Sequence, residues 1–247
     1  MRIGVADYGI NVWEGGCFDF EHRLHRLEEI GYEGLERVEA TDPAEALLRA
    51  ARFRRLDMDF ATCRGPSPQE SLRWTAGLGK HYVWVSVSGT EFDVFCRQAS
   101  HQAELCRRWG VRVGLHNHLG TPVESQEELE EFLERCPQVG LILDTAHLAA
   151  ADGDPVRVAE EYNDRLVAVH LKDWIVQDPE IGLDNWTQRG RFCELGAGNI
   201  DLDNLAVMEV LREKGYDGWV FVEQDTHVEG PYEELAISRE YLRRGNF

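Results

Sequence analysis

The chain has 247 residues, 43% hydrophobic and 29% charged, with 26 Lys and Arg against 45 Asp and Glu for a formal net charge of −19. This length and composition suit one large folded domain with a full core and exclude a disordered chain. So acidic a balance repels phosphate backbones and anionic membranes, which argues against nucleic acid and membranes as partners.

One unit recurs along the chain. The first strand is expected near 2–8 (RIGVADY), followed by helical pattern through FEHRLHRLEEIG. The second is YEGLERV (32–38), and the helix after it has Asp42 as N-cap and Pro43 in its first turn. The third is MDFATC (58–63), followed by SPQESLRWTAGLG, and the fourth is YVWVSVSG (82–89), followed by a long helix through FCRQASHQAELCRRWG. The fifth, VRVGLHNH, precedes the helix SQEELEEFLERC, where Ser125 and Glu128 have capping-box spacing. The sixth is VGLILD (139–144), then DPVRVAEEYND; the seventh is LVAVHLKD (166–173). A stretch at about 174–199 reads as one long irregular loop, of the kind that is usually functional. The helix DLDNLAVMEVLREKG, the eighth strand WVFVEQ (219–224) and the helix PYEELAISREYLRR complete the series.

The strands are apolar and rich in Val, Ile and Leu, while the helices carry the charge, as expected of strands covered on both faces. Gly31, Gly79, Gly110 and Gly215 stand where helices end, as left-handed caps do. Eight such units with no break in composition predict a single α/β domain over 1–247, a closed (β/α)8 TIM barrel. An open doubly wound sheet is the competing architecture, but no G-x-G-x-x-G turn follows the first strand. Cysteines 17, 63, 96, 106, 136 and 193 form no C-x-x-C pair, and the first residues lack signal-peptide character. With no apolar run long enough to span a membrane, the expected location is cytoplasmic.

Barrel active sites lie at the C-terminal ends of the strands. The last four strands end on His116 and His118, Asp144 with His147, His170 with Lys172, and Glu223. A histidine pair on its own is more often one buried and one exposed imidazole than a metal site. In company with two carboxylates on adjacent strands it suggests a hard or borderline divalent cation with positions left for substrate oxygens. The bland competitor is a salt-bridge network joining Asp144 and Glu223 to Lys172 and Arg191.

The stretches GYEGLE, HNHLGT, LDTAHL, VHLKD, GRFCELGAGNIDL and VFVEQD, in that order, resemble the xylose isomerase-like barrel superfamily. This is the sugar phosphate isomerase/epimerase group that also contains endonuclease IV. The resemblance implies a metal set from strands five to eight, carried over here as Asp144, His170 and Glu223. The first ligand departs from the pattern: most of the family has Glu-Asn-His where this chain has His116, Asn117 and His118. His116 therefore takes the place of a carboxylate. His-x-His-x-Gly-Thr looks like the inosose dehydratases within the group, as do the segment 192–198 and the EQD ending.

The expected activity is that of a metal-dependent sugar isomerase/epimerase on a small keto-sugar or polyol ketone, through an enediolate. An inosose dehydratase-type lyase, eliminating water, is the alternative, since only Glu223 remains of the two glutamates that flank substrate in the epimerases. Glu223 is the expected base, with His118 or Lys172 as acid. Glu36, His147, Arg191 and Trp174 are the expected substrate contacts. One divalent ion is expected, manganese first, with magnesium, cobalt and zinc compatible. Trp13, Trp84 and Trp186 are further candidates for stacking on a sugar ring. DNA cleavage of the endonuclease IV kind would need additional histidines that the early strands lack. A non-catalytic carbohydrate-binding barrel would predict degraded ligand positions, whereas all four are competent. The expected partners are a small carbohydrate or cyclic polyol and further copies of the chain, as a homodimer or homotetramer.

Overall fold

The structure, a computed structural model, describes residues 1–247. Its central sheet has eight parallel strands: β1 (Arg2–Ala6), β2 (Gly34–Glu39), β3 (Asp59–Arg64), β4 (Tyr82–Trp84), β5 (Arg112–His116), β6 (Gly140–Asp144), β7 (Leu166–Leu171) and β10 (Trp219–Glu223). Two more strands, β8 (Asp173–Val176) and β9 (Gly190–Cys193), pair antiparallel as a separate hairpin. The helices are α1 (Tyr8–Glu14), α2 (Phe20–Ile30), α3 (Pro43–Arg55), α4 (Pro68–Gly77), α5 (Phe92–Arg107), α6 (Gln126–Arg135), α7 (Thr145–Ala150), α8 (Pro155–Glu161), α9 (Trp186–Arg189), α10 (Asn204–Glu213) and α11 (Pro231–Arg244). None is long and apolar enough to cross a membrane.

The strands run β3-β2-β1-β10-β7-β6-β5-β4, so β3 and β4 stand at the two ends of the hydrogen-bonded ladder. The barrel is a TIM barrel with one seam, β3 to β4, not joined by a ladder. Full closure was the expectation. The shortness of β4 accounts for the difference: three residues pair where eight were expected. Beyond Trp84, only Val85 N–H still reaches β5, donating to the Gly114 carbonyl. Ser86 and Gly89 donate their N–H groups to the side-chain oxygens of Gln102 and Gln98 on α5. Glutamine side chains thus satisfy backbone donors that a longer strand would have spent on a ladder.

The helix ends follow their residue chemistry. Asp42 accepts from the N–H groups of Ala44 and Glu45, and Ser125 with Glu128 forms a complete capping box. Gly110 turns the chain at φ +69° after α5, a conformation any side chain would strain.

Alternation along the strands divides the core and builds the site. Val220 and Val222 of β10, Val169 and Leu171 of β7, Leu141 and Leu143 of β6, and Val113 and Leu115 of β5 join the large layer packed against the helices. Their in-register neighbours point inward, where Ala6, Ala61, Tyr82, Ile142, Ala168, Trp219 and Phe221 plug the barrel. Glycines make room for these rings: a Cβ on Gly4 would come within 2.8 Å of the Phe221 ring. Two residues further along each strand, the same inward face carries Glu36, Trp84, His116, Asp144, His170 and Glu223.

Candidate metal centre and active-site cleft

His116, Asp144, His170 and Glu223 each bring a ligand atom to one place, all within 4.8 Å of one another. His116 Nε2 lies 3.3 Å from Asp144 Oδ2, and His170 Nδ1 lies 2.7 Å from Glu223 Oε2. Donors about 2.1 Å from one ion sit roughly 3 Å apart when adjacent, so the cluster has the size of a coordination sphere. His116 Nε2 and Asp144 Oδ2 are buried and make no hydrogen bond. Two such orphaned atoms, an imidazole nitrogen facing a carboxylate oxygen, fit a cation between them.

The electrostatics agree. Burial lowers the pKa of His116 and keeps its imidazole neutral, with Asp144 opposing only in part. Burial works against ionising Asp144 and Glu223 too. Lys172 nevertheless holds both carboxyls well below the usual carboxylate range, aided at Asp144 by His147 and at Glu223 by His170. His170 is the exception among the imidazoles: burial pulls it down, but Glu36 and Glu223 outweigh that and raise it to about 10.

Lys172 is fully buried, with Nζ 3.4 Å from Asp144, 3.1 Å from Glu223 and 2.9 Å from Asp225. It also lies 4.4 Å above the Phe192 ring. The salt-bridge network expected as the competitor therefore exists around Lys172, but Arg191 is not in it: its Nη1 donates to the Phe192 carbonyl, 3.2 Å away. Lys172 reaches Asp144 at Oδ2 as an ion-pair contact without hydrogen-bond geometry, so the network leaves that oxygen able to bind a cation.

Above the cluster opens a cleft of about 860 Å³. His116, His118, Lys172, Glu223 and Arg191 line it, with Trp84, Trp186 and Asp225. The segment expected to be one irregular loop is largely the β8–β9 hairpin with α9, and it forms one wall. Strand pairing on β5 stops at His116, yet the rings of His116 and His118 lie 5.7 Å apart at the same cleft. His118 donates its Nδ1 proton to the Leu119 carbonyl at 2.7 Å, leaving Nε2 as its free nitrogen.

Three expected substrate contacts lie elsewhere. Trp174, 1% exposed, packs under the hairpin against Ala146 and Phe192, because it is the inward residue of β8 rather than part of an open loop. His147 is fully buried beneath His118, ring centroids 3.7 Å apart, with its backbone N–H donating to Asp144 Oδ1. Glu36 lies below the cleft against His170, Tyr82 and Trp84.

Residues not singled out from sequence complete the site. The carboxamide of Asn117 donates to the Asp144 carbonyl at 3.0 Å and accepts the Asp144 N–H at 2.9 Å. The β5–β6 ladder ends at His116 and Ile142, so Asn117 extends it with a side chain that mimics a peptide. Thr145 and Asn204 tie the Lys172 backbone through buried bonds of 2.8 to 3.3 Å. Asp225 reaches Lys172 from just past β10. The one sequence signal for Asn117, Thr145 and Asp225 is their position one or two residues from a candidate ligand, and Asn204 has no such signal.

A sequence model of the xylose isomerase-like TIM barrel matches residues 70–244. The chain belongs to that family. Its family relatives include inosose dehydratases of Lactiplantibacillus plantarum, 32% identical over 162 residues, and Geobacillus kaustophilus, 34% over 168. The matches cover 62% and 64% of this chain and 54% of each relative. The chain thus spans about half the length of these curated relatives. Among solved structures of the same barrel type, L-ribulose 3-epimerase superposes with TM-score 0.72 at 17% identity, covering 99% of this chain and 94% of that one. The IolI protein with a bound zinc atom gives 0.70 at 17%, covering 99% and 98%. At such identities the likeness is one of fold.

Proposed function

We propose that this family barrel is a divalent-metal-dependent enzyme of the sugar isomerase/epimerase type, acting on a small keto-sugar or cyclic polyol ketone. The observation that carries the reading is the convergence of four ligand-competent side chains, three of them with orphaned buried atoms, on the floor of an open cleft. The zinc bound in the IolI structure supports a metal here, and the inosose dehydratases and L-ribulose 3-epimerase support the substrate class. His116, Asp144, His170 and Glu223 would hold the ion. Bound there, it would polarise a ketone and the adjacent hydroxyl and stabilise the enediolate formed on proton loss.

The chain's own groups supply the rest. Glu223 is held ionised at the cleft floor and takes the proton from the carbon beside the carbonyl. Lys172 stays charged, because three carboxylates overcome its burial, so it acts by attracting developing negative charge rather than by giving up a proton. His118, with Nδ1–H tied to the Leu119 carbonyl and Nε2 free in the cleft, is the proton donor in its doubly protonated form, giving the proton from Nε2. Arg191 and Trp186 orient the substrate from the hairpin wall.

A second reading, elimination of water as in an inosose dehydratase, rests on His116. An imidazole that accepts no proton at neutral pH leaves Glu223 without a carboxylate opposite it, so the proton returns to one face or a hydroxyl leaves. Proton NMR in heavy water, with ketoses and inososes as substrates, tests both. Metal-dependent deuterium uptake that a chelator stops supports the reading, and an unsaturated product with it favours elimination. Neither signal from any substrate, with metal present, would refute it.

A further inference from the structure

Glu36 is 1% exposed, and its carboxylate sits at the junction of three inward-facing strands. Its Oε1 accepts from Tyr82 OH at 3.0 Å and from Trp84 Nε1 at 2.8 Å, and lies 3.2 Å from His170 Nε2 as an ion-pair contact without hydrogen-bond geometry. His170 therefore has a carboxylate at each nitrogen, Glu36 at Nε2 and Glu223 at Nδ1. Trp84, fixed through its indole N–H, stacks on His116 with ring centroids 4.6 Å apart and planes 27° from parallel. Tyr82 and Trp84 belong to β4, the strand with no ladder toward β3, so these two bonds also tie the loose edge of the barrel to β2.

We propose that Glu36 is a positioning residue for both imidazoles of the candidate metal centre. It fixes His170 directly, presenting Nδ1 toward Glu223, and it fixes His116 through the orientation of Trp84. A carboxylate behind a ligating histidine sets ring orientation and raises ligand basicity, and loss of such a partner weakens metal binding roughly 10- to 100-fold. The proposal rests on the metal reading above, and extends it to a residue that touches neither ion nor substrate.

The test is cobalt(II) binding by titration calorimetry and visible absorption, on wild-type protein, Glu36→Gln and Tyr82→Phe, with thermal melting of each in chelator. Tyr82→Phe keeps the carboxylate beside His170 and removes one of its anchors, so it reports even where Glu36→Gln does not fold. The expected result is cobalt affinity lower by about 10- to 100-fold in Glu36→Gln, a smaller loss in Tyr82→Phe, and a changed cobalt absorption band in both. Wild-type affinity and spectrum in the folded variants, with only melting lowered, would overturn the proposal and leave the metal reading standing. No cobalt binding by wild type would overturn both.

Discussion

Glu223 is asked both to hold an ion and to take a proton, and its surroundings allow it to do so as an ionised group. Replacing it with Gln keeps the shape and removes the basicity. Glu223→Gln is expected to slow deuterium exchange of a bound ketose or inosose by about 10²- to 10⁴-fold while substrate still binds. Exchange persisting at the wild-type rate would remove Glu223 from that role. The two imidazoles make a second, separate expectation. His170 is raised to about 10 from a reference of 6.5, so it carries an extra proton at neutral pH, whereas His116 is neutral. Metal uptake must expel that one proton, so affinity rises as pH climbs toward 10. The sign for folding is opposite: His170 stabilises the metal-free protein fully below about 6.5, and the contribution fades as pH rises through about 10. Calorimetry in buffers of different ionisation enthalpy should find one proton released per ion near neutral pH, and two would contradict the assignment to His116. The four ligand candidates were legible because each stands at or one residue before the end of an apolar strand. Asn117, Asp225 and Asn204 were not, since a side chain that bonds to backbone or to a buried ammonium leaves no periodic trace.

At the scale of elements, strands were legible in place and order but not in length. Apolar residues continue past the point where pairing ends, as at Val85 and Val87 after β4, where glutamines on α5 take over the backbone. The β8–β9 hairpin was hidden for the converse reason: its strands of four residues are too short to show alternation within a polar segment. Asn117 shows how a side chain finishes an element. Asn117→Ala strands the Asp144 N–H and carbonyl in a buried place, which costs about 1–3 kcal/mol for an unsatisfied buried group. Urea unfolding of the metal-free protein should show that loss, and an unchanged midpoint would mean the carboxamide clamp carries no stability.

For the whole molecule, the repeat of strand and helix made the barrel readable, while the gap in its ladder was not, because sequence alternation records which face a residue takes and not whether its strand finds a partner. The unpaired seam sets an order of opening. Backbone amides of β4 should exchange with heavy water ahead of those of β6 and β7, which pair on both sides. Uniform protection around the barrel would show β3 and β4 joined in solution. The cleft, the hairpin wall and the four converging side chains all lie at one end of that barrel, and the activity depends on what those side chains hold. The most direct measurement is anomalous diffraction from a crystal grown with manganese. The account predicts one strong peak within about 2.0–2.4 Å of donor atoms from His116, Asp144, His170 and Glu223. A protein active in manganese whose crystal shows no peak there, or shows the ion bound elsewhere, would contradict it.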